Sequence, residues 1–201
     1  MHRIPNTNIV FAHIPKTGGQ AIKAALGIAN ESSAHEVGVP SDKEYFKPGF
    51  FRFCVVRHPV KRFISAYRYN VKHSSIKPTG VREFLIEKNA CDDINVFVQA
   101  LRERKSANWT HFRSQLDFIA LAKPQIILRQ ETLKHDIKIF EPLLGKKIAL
   151  KRKNVSKKDG DTKLTNENRA FVRAIYADDI RVLGYRPGKP IGKIDWGETQ
   201  A

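Results

Sequence analysis

The sequence predicts an α/β fold: one domain with a central, mostly parallel sheet flanked by helices. Three observations carry this. Short, mostly apolar stretches at 8–12, 51–56 and 125–129 alternate with segments whose apolar residues recur at helical spacing, the pattern of buried parallel strands joined by helices. The first two stretches run through glycine or proline turns directly into helix starts. With 201 residues and 41% hydrophobic content, the chain can bury one proper core, and a single domain is the default.

Taken in order, the stretch Asn8-Ile9-Val10-Phe11-Ala12-His13-Ile14-Pro15-Lys16-Thr17-Gly18-Gly19-Gln20-Ala21-Ile22 reads as strand, tight turn, helix. That layout cradles an anion. Glycines let the backbone approach closely, the first helical N–H groups lack partners within the helix, and the helix dipole favours negative charge there. Lys16 adds a full positive charge. The nucleotide signature G-x-x-x-x-G-K-[ST] is absent, because Lys16-Thr17 precedes the glycines. Ala21, Ile22, Ala25 and Leu26 give the first helix, within 18–28, an apolar face toward the sheet. From Asn30 to Gly49 that periodicity stops, and a loop containing His35 is expected over the carboxyl edge of the sheet, where α/β proteins bind ligands.

The second strand ends in Arg57-His58-Pro59, and Pro59 opens a helix to about Asn70, with Phe63, Ala66 and Tyr67 on one side and Lys61, Arg62 and Arg68 elsewhere. Ser65 lies two turns in. Residues 71–80 read as a loop, and helices are expected near 81–88 and 92–103. Gln125–Arg129 is a buried parallel strand. Lys151–Gly160 is a basic run with turn residues, ordinarily a solvated loop. Thr165 with Asn168 opens a last helix through Asp179, with Phe171, Val172, Ile175 and Tyr176 on one face.

Lys and Arg outnumber Asp and Glu by 36 to 20, a net charge of +16 that steers anions toward the protein. Charge alone does not choose among nucleotide, nucleic acid, acidic membrane and acidic glycan. Cys54 and Cys91 make no disulfide framework and are read as reduced. No apolar run approaches the ~18 residues of a membrane span, and the N-terminus lacks a signal-peptide core. No metal is expected, since no ligand cluster of His, Cys or carboxylates stands out.

The two strand-turn-helix stretches together resemble the PAPS-dependent carbohydrate sulfotransferases, the Golgi-type enzymes similar to heparan sulfate 2-O-sulfotransferase and their bacterial relatives. Pro15-Lys16-Thr17-Gly18-Gly19-Gln20 matches the family's P-K-T-G-[GS]-[TQS]. Arg57-His58-Pro59 through Arg62-Phe63, Ser65 and Tyr67 matches R-[DN]-P-x-x-R-[FL]-x-S-x-[YF], departing at His58. Weaker likenesses follow at His111 and Gln115 (H-x-x-x-Q), at Glu131, whose role is expected to be structural, and at 164–185. The resemblance spans about 8–186, within a single domain 1–201 whose tail, 187–201, is expected to be peripheral. It implies a P-loop-like sulfotransferase fold and PAPS, 3′-phosphoadenosine-5′-phosphosulfate, as co-substrate, with PAP as product and a carbohydrate acceptor.

By that resemblance, Pro15 through Gln20 hold the 5′-phosphosulfate, with Lys16 also catalytic. Arg57 and Ser65 hold the 3′-phosphate, and Asn154 with Ser156 close over the nucleotide end. His35, 22 positions before Arg57, takes the role of base, with His111, Glu36 and His13 as competitors. A bacterial-type cytoplasmic enzyme is expected, or a Golgi lumenal one if the chain is part of an anchored protein. Two other classes remain: a kinase using ATP and Mg²⁺, which also has a lysine in a phosphate loop, and a basic nucleic-acid-binding protein. Against the latter, no stacking platform, helix-turn-helix or zinc-finger pattern appears.

Overall fold

The computed structural model of the chain describes residues 1–29, 40–72, 80–104, 109–150 and 162–185. One sheet has the order β1-β2-β3-β4. β1 (His2–Arg3) pairs antiparallel with β2 (Ile9–Ala12), while β2, β3 (Phe51–Val56) and β4 (Ile126–Arg129) are parallel. α1 (Gly19–Leu26) lies between β2 and β3. Between β3 and β4 come α2 (Pro59–Lys72), α3 (Gly80–Glu87), α4 (Ile94–Arg104) and α5 (Gln115–Ala122). After β4 follow the single turns α6 (Leu133–Asp136) and α7 (Glu141–Leu144), then α8 (Asn166–Ile175) and α9 (Ala177–Val182).

Side chains alternate faces along a strand, so β3 supplies two cores at once. Phe53 and Val55 join Phe11, Ile22, Leu26 and Phe140 on one face of the sheet; Cys54 and Val56 join Ala12, Phe118, Ala122 and Leu183 on the other. Burial pushes the Cys54 thiol up, so that cysteine behaves as a small apolar side chain, and both cysteines are free. A third, aromatic-rich core lies among α2, α3, α4 and α8. The register, Ala12 beside Cys54 and Val56 beside Arg129, brings the loops after β2, β3 and β4 out along one edge.

Several expectations change. Within the expected 30–49 loop, Pro40–Phe46 form a 3₁₀ helix. α2 runs on to Lys72. Arg62, placed with the polar residues of that helix, is 1% exposed, because its guanidinium is engaged by two backbone carbonyls. The last helix breaks at Tyr176 (φ −107°, ψ 30°), whose hydroxyl donates to the Phe112 carbonyl at 2.5 Å. The chain therefore leaves its first direction, and Ile175, expected on the buried face, is 41% exposed.

Candidate functional site

The loop from β2 to α1 is fixed by its carbonyls. The Thr17 hydroxyl donates to the carbonyl of Ile14 (2.8 Å), Arg62 Nε to that of Pro15 (2.9 Å), and Arg57 Nη1 to that of Lys16 (3.2 Å). With three successive carbonyls engaged, the N–H groups of residues 16–20 are the loop's remaining polar edge. None of them has a backbone partner among the described residues. Pro15 has no N–H to offer, and Thr17 is fully buried, so what Thr17 can present to a ligand is its backbone. Gly18, at φ 95°, caps α1 in the left-handed region that suits glycine, and Gly19 packs directly on His13. A Cβ at position 19 would lie 1.9 Å from His13 Nε2. His13, stacked on Phe11, is thus the floor of the loop.

Lys16 itself has φ 69°, a conformation that costs a side-chain-bearing residue roughly 1–2 kcal/mol and clusters at functional sites. Its ammonium lies 3.7 Å from the centroid of the Tyr69 ring. Burial first, then the neighbouring Arg57 and Arg62 guanidiniums, lower its pKa to about 8. Among the described residues, none of these three cations forms an ion pair with a carboxylate. Arg57 Nε and Arg62 Nη2 are buried without a hydrogen-bond partner there. Partly buried charges in this condition call for an anion.

Arg57 is held from behind. Gln115, fully buried at the start of α5, grips both backbone groups of Arg57: Oε1 accepts its N–H at 2.9 Å and Nε2 donates to its carbonyl at 2.9 Å. Asp179, from α9, accepts from the Ser114 hydroxyl (2.5 Å) and the N–H groups of Gln115 (2.9 Å) and Leu116 (3.2 Å), closing the amino end of α5. Glu131, after β4, accepts the His58 N–H at 2.8 Å and the Tyr185 hydroxyl at 3.2 Å. The departure at His58 is accommodated there: its backbone is tied to Glu131, and its ring meets Tyr185 edge to face at 5.3 Å. Burial lowers the pKa of both Arg57 and His58, and Glu131 opposes it in each case.

On α2, Arg62, Ser65 and Tyr69 fall at i, i+3 and i+7, one stripe of a helix. Arg62 and Tyr69 both touch the loop, so Ser65, half-buried between them, lies on the side facing it. Lys16 and Arg57 are in direct contact, with Ser65 on the face of α2 turned toward the loop and Gln20 half-buried at the opening turn of α1. His35, Asn154, Ser156 and the competitor Glu36 lie outside the described residues. Of the other competitors, His13 lies beneath Gly19. His111 packs edge to face on Tyr69 at 4.8 Å, one ring away from Lys16. The sequence reading missed Tyr69 and the grip of Gln115 and Asp179; the i, i+3, i+7 stripe was the available signal for Tyr69.

The geometry sets a backbone loop and a guanidinium side by side at the carboxyl ends of parallel strands, an arrangement chemically able to receive anions. The family model described as "Sulfotransferase family" matches residues 2–186, and the chain belongs to that family. It is therefore a sulfotransferase-family protein, a transferase by class. No curated protein and no solved structure matches it. Among the described residues, no helix is long and apolar enough to cross a membrane, and no three His, Cys, Asp or Glu side chains gather as a metal site.

Proposed function

We propose that the protein transfers a sulfuryl group from PAPS to a hydroxyl of a carbohydrate acceptor, leaving PAP. The observation supporting this most strongly is the direct contact of Arg57 Nη1 with the Lys16 carbonyl, which sets the two predicted anion seats side by side. A nucleotide with phosphate at both its 3′ and 5′ positions suits such a pair. The residues fit the group: among the described residues Lys16, Arg57 and Arg62 form no ion pair with a carboxylate, and the loop N–H groups have no backbone partner.

PAPS supplies an activated sulfuryl group on a phosphate leaving oxygen. In this reading the N–H groups of Thr17 through Gln20 bind the 5′-phosphosulfate, and Lys16 neutralises charge growing on the bridging oxygen. Arg57 offers paired donors to the 3′-phosphate, joined by the Ser65 hydroxyl. Asn154 and Ser156 contribute at the nucleotide end. The acceptor oxygen gains the S–O bond that the phosphate oxygen gives up, and the hydroxyl proton passes to His35, an imidazole suited to that exchange near neutral pH. An acidic glycan is the favoured acceptor class, in keeping with the +16 charge.

Thermal shift tests the reading. PAP at a hundredfold excess over its Kd raises Tm by about 5–10 °C, the effect of ~2.7 kcal/mol of linkage in a domain of this size, while ATP with Mg²⁺ does not. Stabilisation by ATP with Mg²⁺ and none by PAP would replace it with a kinase.

A further inference from the structure

Lys16 has a problem that its loop does not solve. Two guanidiniums, Arg57 and Arg62, lie close enough to lower its pKa, and no described carboxylate faces it. Repelled by both, an ammonium on a flexible stem would be expected to swing into water, yet it rests 3.7 Å from the centre of the Tyr69 ring. That distance is well inside the reach of a cation–π attraction, and the site's partial burial strengthens it. The ring is itself braced. His111 meets it edge to face at 4.8 Å, His111 Nδ1 lies 3.4 Å from Asn70 Nδ2, and Asn70 Nδ2 donates to the Ala66 carbonyl at 2.8 Å on the same helix. The helix that carries Arg62 and Ser65 thus also supplies the surface on which Lys16 lies.

We infer that Tyr69 is a positioning residue for sulfuryl transfer, its aromatic face holding the Lys16 ammonium over the loop before the donor arrives. This rests on the sulfotransferase reading above. Without the ring, the repelled ammonium leaves the loop, and each turnover must first bring it back against Arg57 and Arg62. The ring is what matters, so phenylalanine serves in its place and an aliphatic side chain does not. The seat on Arg57 is separate, so nucleotide affinity changes little.

The test measures PAP binding by calorimetry and transfer of labelled sulfuryl from PAPS to a panel of oligosaccharides, in the wild type and in Tyr69→Phe, Tyr69→Leu and Tyr69→Met. Tyr69→Leu and Tyr69→Met should each lower kcat about tenfold, the upper range for a partly desolvated cation–π contact, with KM for PAPS and Kd for PAP within about twofold. Tyr69→Phe should stay within about twofold of wild type in all three. Two aliphatic variants guard against one failing to fold, and either alone suffices. Wild-type turnover in a folded aliphatic variant overturns the inference, as does a Tyr69→Phe variant as slow as they are, which would assign the effect to the hydroxyl. A wild-type protein that neither binds PAP nor transfers sulfuryl removes the sulfotransferase reading, and this inference with it. Intact PAP binding and transfer in the wild type, with no defect in the aliphatic variants, removes the inference alone.

Discussion

At the amino ends of β2, β3 and β4 the side chains that meet are Ile9, Phe51 and Ile126, joined by Ile139, Phe140 and Leu143 around an open apolar groove of about 490 Å³. At the carboxyl ends of the same strands stand Lys16, Arg57 and Glu131, with Arg62 and Gln115 buried behind them. The amino end is held by ring packing, Phe51 edge to face on Phe140 at 6.5 Å and Phe53 on Phe140 at 4.6 Å. The carboxyl end is held by directed hydrogen bonds around cations that make no direct ion pair among the described residues. It also carries a lysine in the left-handed region. The same sheet thus places its stabilising packing at one end and its unfavourable groups at the other, where an anionic ligand would relieve them.

The sharpest way to break this comparison is to cut one residue at each end. Lys16→Ala should lower transfer by at least the roughly 10²–10³ typical of a single charge-stabilising donor, with the protein still folded. Phe140→Ala should do the reverse. It removes a 1% exposed ring and costs about 3–5 kcal/mol in denaturant unfolding, with PAP affinity of the folded protein unchanged. A Phe140→Ala protein that melts normally but binds PAP poorly would show that the two ends are not separable.

A smaller effect concerns pH, and its sign differs for the two properties. Lys16 is depressed to about 8 in the folded protein, below its ordinary value, so its protonation opposes folding. The difference in Tm between wild type and Lys16→Met should therefore narrow as pH rises through about 8. kcat/KM for transfer by the wild type should fall over that interval as the ammonium is lost. At neutral pH, Lys16→Met should melt about 2–4 °C higher than wild type, as relief of roughly 1 kcal/mol gives in a domain of this size. A lower melting point for that variant would mean that Lys16 is a structural residue.

Legibility in the sequence divides along similar lines. The strands were readable because β2, β3 and β4 are short and mostly apolar, and the loop and Arg57 because residue types and the strand-to-helix layout are both local. β1 is two residues long and leaves no period. Arg62 was misplaced because a helical stripe shows which residues share a face, not that a guanidinium can be buried by giving its N–H groups to Pro15 and Arg113 carbonyls. Gln115 stood out by resemblance, yet its grip on Arg57 spans 58 residues, and that of Asp179 on α5 spans 64. No local pattern encodes such contacts. Tyr69 carries no mark in the sequence beyond its place on a helix, and only the fold brings Lys16 onto its face.

The central claim is that Arg57 and the Lys16 loop hold opposite ends of one bisphosphate nucleotide. Calorimetric titration of wild type and Arg57→Ala with PAP and with 5′-AMP, which lacks the 3′-phosphate, tests it directly. Wild type should prefer PAP by tenfold or more, in line with about 1.5–3 kcal/mol for a charge-assisted contact, and Arg57→Ala should bind the two nucleotides alike. A preference for PAP that survives in Arg57→Ala, or a wild type that does not distinguish them, would contradict it.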